Sequence, residues 1–411
     1  MRSRRFVSLC LITMAMLLTP ALGRAQNPDP QALQQEIDRL KGQLAALQQQ
    51  YDARLAALEA RLGSGPAATA AQVEPPAGPL PATPDTGVGS GKVFNPDMSV
   101  ISNFAGAAGK NPRSDLPSLS MSEVEAAFQA VVDPYARADV FLSISPDGID
   151  VEEGYATFTA LPAGLLLKAG KMRAQFGKVN TMHTHVLPWT DRPLVSQNLL
   201  GGEEGLSDAG LSVSKLIPNS FMFIDATGEV YAGKSAVFQS DARSRLNYVG
   251  RLRGYRDVTE GTNLDIGLSY AHGPSGDFPA LDKQLTGIDA TFRYRPLRRA
   301  IYKQFIGRTE LIWSRQDMPT GSQERAFGIY GSADYQFAQR WFVGVRGDRS
   351  ERVLNGALRD TGGSLALTFR PSEFSLVRGQ YRRTQYAEAM TANELLFQIN
   401  FAIGAHGAHP F

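Results

Sequence analysis

From Asn95 to Gly404, apolar side chains recur at every second residue, and no stretch of that span has a helical period. The run Ser364-Leu365-Ala366-Leu367-Thr368-Phe369 shows the pattern cleanly. The sets Leu264/Ile266/Leu268/Tyr270, Phe327/Ile329/Gly331/Ala333/Tyr335 and Leu395/Phe397/Ile399/Phe401/Ile403 repeat it. Successive side chains of a strand point to opposite faces, so a period of two means strands with one apolar face. Marking each run predicts an all-β chain of roughly 16 antiparallel strands, each of ~10 residues, the length that crosses a bilayer at a tilt.

The second face of these strands is charged. Arg245, Asn247, Arg251 and Arg253 alternate with Leu246, Tyr248, Gly250 and Leu252. Asp289, Thr291, Arg293 and Arg295 alternate with Ile288, Phe292 and Tyr294, and Arg378, Gln380 and Arg382 with Val377, Gly379 and Tyr381. A soluble sandwich would put one face in an apolar core and leave the other to water. A closed barrel in lipid does the reverse, with the apolar set outward and the arginines toward an aqueous lumen. The turns favour the barrel. Val132-Asp133-Pro134-Tyr135, Leu161-Pro162-Ala163-Gly164, Ile217-Pro218-Asn219-Ser220, Phe337-Ala338-Gln339-Arg340 and Arg370-Pro371-Ser372-Glu373 are tight and fall at every second connection. Longer polar loops are expected between them, at Gly106 to Ser118, Ala232 to Arg243, Ala271 to Lys283 and Glu351 to Asp360, with Pro146-Asp147-Gly148 a short exception. Short turns at one end and long loops at the other is the outer-membrane arrangement. The expected pore-lining residues are Arg251, Arg253, Arg293, Arg295, Arg378 and Arg382.

Three segments precede the barrel. Residues 1–25 read as a cleaved secretory signal, with basic Arg2, Arg4 and Arg5, an apolar run from Phe6 to Leu18, and Gly23 and Ala25 before the cleavage point. Its apolar run is shorter than the ~20 residues of a spanning helix. Residues 26–63 carry a heptad seam: Ile37, Leu44, Tyr51 and Leu58 at a, Leu33, Leu40 and Leu47 at d. This predicts a self-associating coiled coil, with an amphipathic helix lying on the protein's own surface as the alternative. Residues 64–93, with Pro75-Pro76-Ala77-Gly78-Pro79, read as an extended linker. The barrel would occupy 94–411, placing the protein in the outer membrane with its helix in the periplasm. The one cysteine, Cys10, lies in the leader, so thiol chemistry is not expected of the mature chain. A net charge of +2 argues against nucleic acid as a partner.

With these residues in view, the chain resembles Gram-negative outer-membrane porins that carry a periplasmic helical extension. The opening Phe94-Asn95-Pro96-Asp97-Met98-Ser99-Val100-Ile101 has this character. Lys168-Ala169-Gly170-Lys171-Met172-Arg173-Ala174-Gln175-Phe176-Gly177, followed by Trp189-Thr190-Asp191-Arg192-Pro193-Leu194-Val195, is similar to the fifth strand and third loop of the phosphate-selective O and P porins. The resemblance implies a 16-stranded barrel in outer-membrane lipid, a homotrimer, and a third loop folded inward. That loop departs from the phosphate type: Phe176 to Asp208 holds only Lys178 and Arg192 against Asp191, Glu203, Glu204 and Asp208.

The stretch 174–208 is the longest loop, and loops of this length are usually functional or disordered. As a constriction it would set Lys178, His183, His185, Asp191 and Arg192 against wall arginines across the pore. Two chemical alternatives involve the same residues. His183, His185 and Asp191 could join Glu203 or Glu204 around a metal, and Ser196, His185 and Asp191 could form a hydrolytic triad. Neither has a supporting motif, so no metal, cofactor or enzymatic activity is expected. The expected function is passive diffusion of small hydrophilic solutes with mild anion preference. The alternative is a structural tether, with the coiled coil gripping peptidoglycan.

Overall fold

The computed structural model describes residues 96–404 except 115 and 147. The expected leader, coiled coil and linker, and the segment 405–411, lie outside the described residues. Sixteen strands follow one another: β1 (Asp97–Lys110), β2 (Ser120–Asp133), β3 (Ala136–Ser145), β4 (Gly148–Phe158), β5 (Leu165–Arg173), β6 (Ser207–Ile217), β7 (Phe223–Tyr231) and β8 (Asn247–Thr259). The second half comprises β9 (Thr262–Pro274), β10 (Asp282–Tyr294), β11 (Gln304–Asp317), β12 (Gln323–Ala338), β13 (Trp341–Arg352), β14 (Asn355–Ser372), β15 (Ser375–Gln385) and β16 (Thr391–Gly404). Each strand pairs with its sequence neighbours, and β1 closes on β16 with Ser99 opposite Gly404 and Asn103 opposite Asn400. A closed antiparallel sheet has no edge, so no row of backbone N–H and C=O groups is left unpaired.

The alternation seen in the sequence becomes an inside-out protein. Leu268 is 52% exposed on the outer face, whereas Asp289, on the neighbouring strand and the opposite face, is 1% exposed. Leu252, Leu365, Leu367, Leu395 and Ile399 join Leu268 outside, while Ser269, Thr291, Gln380 and Gln398 are buried within. Such a surface is stable only if the surrounding medium is itself apolar. Aromatic pairs stand at both ends of the outer band. Trp341 with Phe369 (ring centroids 4.7 Å apart) and Phe292 with Phe305 (6.2 Å) lie toward the end of the tight turns, and Trp313 with Phe327 (5.2 Å) toward the other. Aromatic girdles at two levels bound the apolar band of a transmembrane barrel.

The connections at 134–135, 260–261, 339–340 and 373–374 are minimal and share one end, and those at 111–119, 174–206 and 232–246 share the other. Several predicted boundaries move. The polar stretch from Glu351 to Asp360 is not a loop: β13 continues to Arg352 and β14 begins at Asn355. Its charges are paired across the two strands, Arg352 to Asp360 at 2.9 Å, so polarity there marks strand ends rising beyond the apolar band. Residues 106–110 belong to β1 and 271–274 to β9 for the same reason. Arg295 falls past the end of β10, exposed in the connection to β11 with its Nε–H donated to the Ala300 carbonyl, and so is not a wall residue.

Replacing Leu268 by Arg at the middle of β9 puts a charge on the outer apolar face. The folded barrel should lose ~2–4 kcal/mol, as a cation does near a bilayer midplane. Denaturant titration in lipid vesicles measures this, and an unchanged midpoint would mean that Leu268 does not face lipid.

Candidate functional site

The residues between β5 and β6 do not leave the barrel. Glu229 of β7 accepts the Gln175 N–H at 2.8 Å, and Arg251 of β8 donates to the Gly177 carbonyl at 2.6 Å. Glu310 of β11 accepts the backbone N–H groups of Lys178 and Val179. Farther along, Arg378 of β15 donates to the Leu187 carbonyl, Asn400 of β16 to the His185 carbonyl, and Gln380 accepts the Thr190 N–H, each at 3.0 Å. Asp348 of β13 accepts the Leu194 N–H at 3.2 Å. In a ring of sixteen strands, β13 and β15 stand across from β5 and β6, so the segment 174–206 runs through the interior. It is mostly irregular, with 3₁₀ turns at Val179–Thr181 and Thr184–Val186 and one short helix, α1 (Leu194–Leu199). Its backbone polar groups therefore rely on wall side chains for partners.

The segment also brings its own apolar core. Phe176, Val179, Leu187, Trp189, Val195 and Leu199 are buried against Tyr231, Val249, Ala271, Leu285, Ile312 and Tyr330 of the wall. Full burial of such side chains is worth roughly 1.5–3 kcal/mol each. Two wall glycines make the room. A Cβ at Gly287 would lie 3.0 Å from the Phe176 ring, and one at Gly328 would lie 2.5 Å from Val195 Cγ2. Glycine inside a strand marks such a close approach.

Asp191 is the electrostatic anchor. Its Oδ2 lies 2.7 Å from Arg346 and 3.0 Å from Arg382, and its Oδ1 accepts a 2.5 Å hydrogen bond from Gln380. Burial alone would raise its pKa, but the two arginines outweigh burial and hold the carboxyl below its ordinary 3.8. Arg346 also stacks over the Trp189 ring at 4.9 Å. Asp191 thus meets two wall arginines, Arg346 and Arg382. The basic loop residues do not. Lys178 faces an acid, Asp265, at 3.1 Å; burial lowers its pKa and the neighbouring Arg253 and Arg293 lower it further. Arg192 turns back into its own loop, donating to the Val179 and Met182 carbonyls at 3.0 and 2.8 Å. Burial and Arg173 lower its pKa to about 10.

The wall arginines are themselves largely compensated, which a parity argument on single strands does not reveal. Arg251 pairs with Asp289 at 2.9 Å, Arg253 with Asp265 at 2.7 Å and Arg382 with Glu394 at 2.5 Å. Arg378 instead bonds Thr368, Gln398 and the Leu187 carbonyl, and Arg293 keeps the inward parity of Asp289 and Thr291. Sequence reasoning missed Arg346 and Glu310, and it placed Gln380 on the inward face without a role. Arg346 shares a face with Asp348 and Ser350, and that parity was the available signal.

His183 and His185 come together on the β2–β4 side. His183 Nδ1 lies 2.5 Å from Glu125 Oε2, its Nε2 lies 2.8 Å from Glu153, and His185 Nδ1 lies 3.5 Å from Glu125. Burial alone would lower the His183 pKa, but the hydrogen bonds to Glu125 and Glu153 raise it to about 10. The carboxylate beside this pair is Glu125 of β2, not Glu203 or Glu204, which are exposed. Asp191 is committed to its arginines and Gln380, so it does not anchor a Ser196/His185/Asp191 triad.

Between the segment and the wall remains a cavity of ≈ 760 Å³, lined by more Lys and Arg than Asp and Glu.

The architecture defines the class: a closed sixteen-stranded barrel, apolar outside and polar within, of the kind found in outer-membrane proteins. It is similar to Pseudomonas putida OprB (TM-score 0.55, 10% identity, 76% of this chain and 94% of that one). It is also similar to the anion-selective porin of Comamonas acidovorans (TM-score 0.52, 10% identity, 74% and 98%). The trimer form of the Vibrio cholerae outer-membrane protein OmpT gives TM-score 0.52 at 9% identity over 75% and 99%. At these identities the likeness is one of fold. No family model matches the sequence. The chain belongs to the same family as an uncharacterized protein of Aquifex aeolicus (strain VF5), with 30% identity over 390 residues that cover 78% of this chain and 81% of the relative.

Asp191→Asn removes the charge that Arg346 and Arg382 share, and breaking a buried pair costs roughly 3–5 kcal/mol. The segment 174–206 should become protease-sensitive at neutral pH. Because the folded carboxyl sits below 3.8, its contribution is complete above that pH and fades only below it. The difference between variant and parent, read by proteolysis and denaturation, should stay constant from pH 7 to 5 and narrow under strong acid. In Gly328→Leu, where Val195 occupies the space, the same protease sensitivity should appear.

Proposed function

We propose that the chain is an outer-membrane porin for passive diffusion of small hydrophilic solutes, with the segment 174–206 as its constriction. One observation carries this reading: a polar-lined barrel, apolar outside, is crossed but not filled by a loop anchored to opposite walls. A simple structural barrel would gain nothing from a polar lumen that its loop leaves partly open. The barrel fold shared with outer-membrane porins supports it, and the trimer form of the Vibrio cholerae protein supports a homotrimer here. The tight connections then face the periplasm, together with both ends of the barrel, as an even strand number requires. Epitope tags at Gly321 should be antibody-accessible on intact cells, and tags at Pro218 should not. The opposite result would invert the orientation.

The finer reading is a mild anion preference. Cations outnumber anions along the cavity lining, and a low-dielectric channel of one prevailing sign concentrates the opposite ion. The margin is small because Asp265, Asp289 and Glu394 compensate their neighbouring arginines. The anion-selective porin of Comamonas acidovorans, which shares the barrel fold, agrees with this. Reconstituted protein in planar bilayers should conduct, with a zero-current potential of anion-selective sign that shrinks as salt rises. Arg293→Glu with Arg370→Glu should reduce or reverse it. Silent bilayers would favour the tether reading, and cation preference in the unmodified protein would overturn the selectivity.

A further inference from the structure

We propose that Glu125, His183 and His185 form a binding site for one divalent transition-metal ion of the zinc class, which clamps the interior loop to β2. The candidate ligand atoms of these three buried residues all lie within 4.8 Å of one another. Donors about 2.0–2.2 Å from a common ion stand ~3.4 Å apart in a tetrahedral site. The two Nδ1 atoms already approach one oxygen, Glu125 Oε2, at 2.5 and 3.5 Å. The His185 contact already has that separation, and the His183 contact would lengthen toward it to admit an ion.

Three further features point to a cation. Glu125 Oε1 and Glu152 Oε2 are buried without a hydrogen-bond partner, although Glu125 is only 1% exposed. Buried charged oxygens are normally fully partnered. Four carboxylates converge here, Glu123 and Glu125 from β2 with Glu152 and Glu153 from β4. The Arg173 guanidinium bonds Glu152, and the Arg173 backbone N–H donates to Glu153. The outer shell is also built for metal: His183 presents Nε2 to Glu153 at 2.8 Å while Nδ1 faces the centre. A ligating imidazole that donates its other N–H to a carboxylate has its tautomer and ring orientation held. Asn400, donating to the His185 carbonyl at 3.0 Å, holds the second imidazole's backbone to β16.

The donor set selects the ion class. Two imidazoles with one carboxylate suit zinc, cobalt and related ions, while calcium and magnesium prefer all-oxygen shells. Because both histidines belong to the interior loop and Glu125 to the wall, the ion would join loop to barrel. It would do so at a position distinct from the Asp191 anchor, which sits against β13 and β15.

The test uses untagged full-length protein, folded in detergent, stripped with chelator and dialysed against micromolar Zn2+. Elemental analysis should find one equivalent in the parent, less than a tenth of that in H183Q/H185Q, and at least a tenfold weaker affinity in Glu125→Gln. Far-UV dichroism checks that each variant keeps its barrel. Zn2+, but not Mg2+, should raise the parent's thermal midpoint and slow proteolysis within 174–206, a readout that needs no variant. Retention of the full equivalent in H183Q/H185Q would assign the ion elsewhere, for instance to His406 and His409, and overturn the proposal. So would a parent that binds no zinc, or that binds Ca2+ equally well. None of these outcomes depends on whether the barrel conducts.

Discussion

Backbone hydrogen bonding in an apolar surround is the constraint from which the rest of this structure follows. Each strand presents N–H and C=O groups on both sides, and the outer face, with Leu268, Leu365 and Leu395 exposed, belongs in a medium that offers those groups no partners. The sheet must therefore close, as it does where Ser99 meets Gly404. Closure of sixteen strands leaves an interior too wide for wall side chains alone to fill. What occupies that interior then becomes the second structural question.

The answer is a segment with the composition of a small globular core. Phe176, Leu187, Trp189 and Val195 bury apolar surface against Tyr231, Leu285, Ile312 and Tyr330, so this barrel has a hydrophobic core inside its polar lumen. The packing is matched from both sides, with Gly287 and Gly328 yielding space to Phe176 and Val195. Irregular backbone is tolerated there because wall side chains such as Glu310, Arg378 and Asn400 take the place of a neighbouring strand. Anchors on opposite walls also make the segment a strut, which limits how far it can swing.

Charge inside the barrel is organised by pairing more than by sign. Arg251, Arg253, Arg346 and Arg382 each lie against a carboxylate, two of them against Asp191 of the interior segment. Buried pairs of this kind are costly to break and give little net field. The net field inside the barrel is the residue of that cancellation. It comes from groups such as Arg293 on one side and the Glu125/Glu153 cluster on the other.

The alternation in sequence determined the all-β class, the approximate strand number and the face to which Arg251, Asp289 and Arg378 belong. Side-chain parity along a strand is a local property, and a one-residue slip would reverse it everywhere. Strand ends were legible only to within several residues. Polar stretches such as Glu351 to Asp360 read alike whether they form a loop or a paired strand standing beyond the apolar band. The length and prolines of the segment after β5 marked it as special. Its partners were not legible, because Asp191 and Arg382 are far apart in the chain and meet only when the ring closes. Tertiary structure alone decided that Lys178 faces Asp265, that Arg192 serves its own loop, and that His183 and His185 reach Glu125. Each of these depends on which strands stand opposite one another across the lumen, a distance set by the number of strands in the closed sheet and by no local pattern of residues.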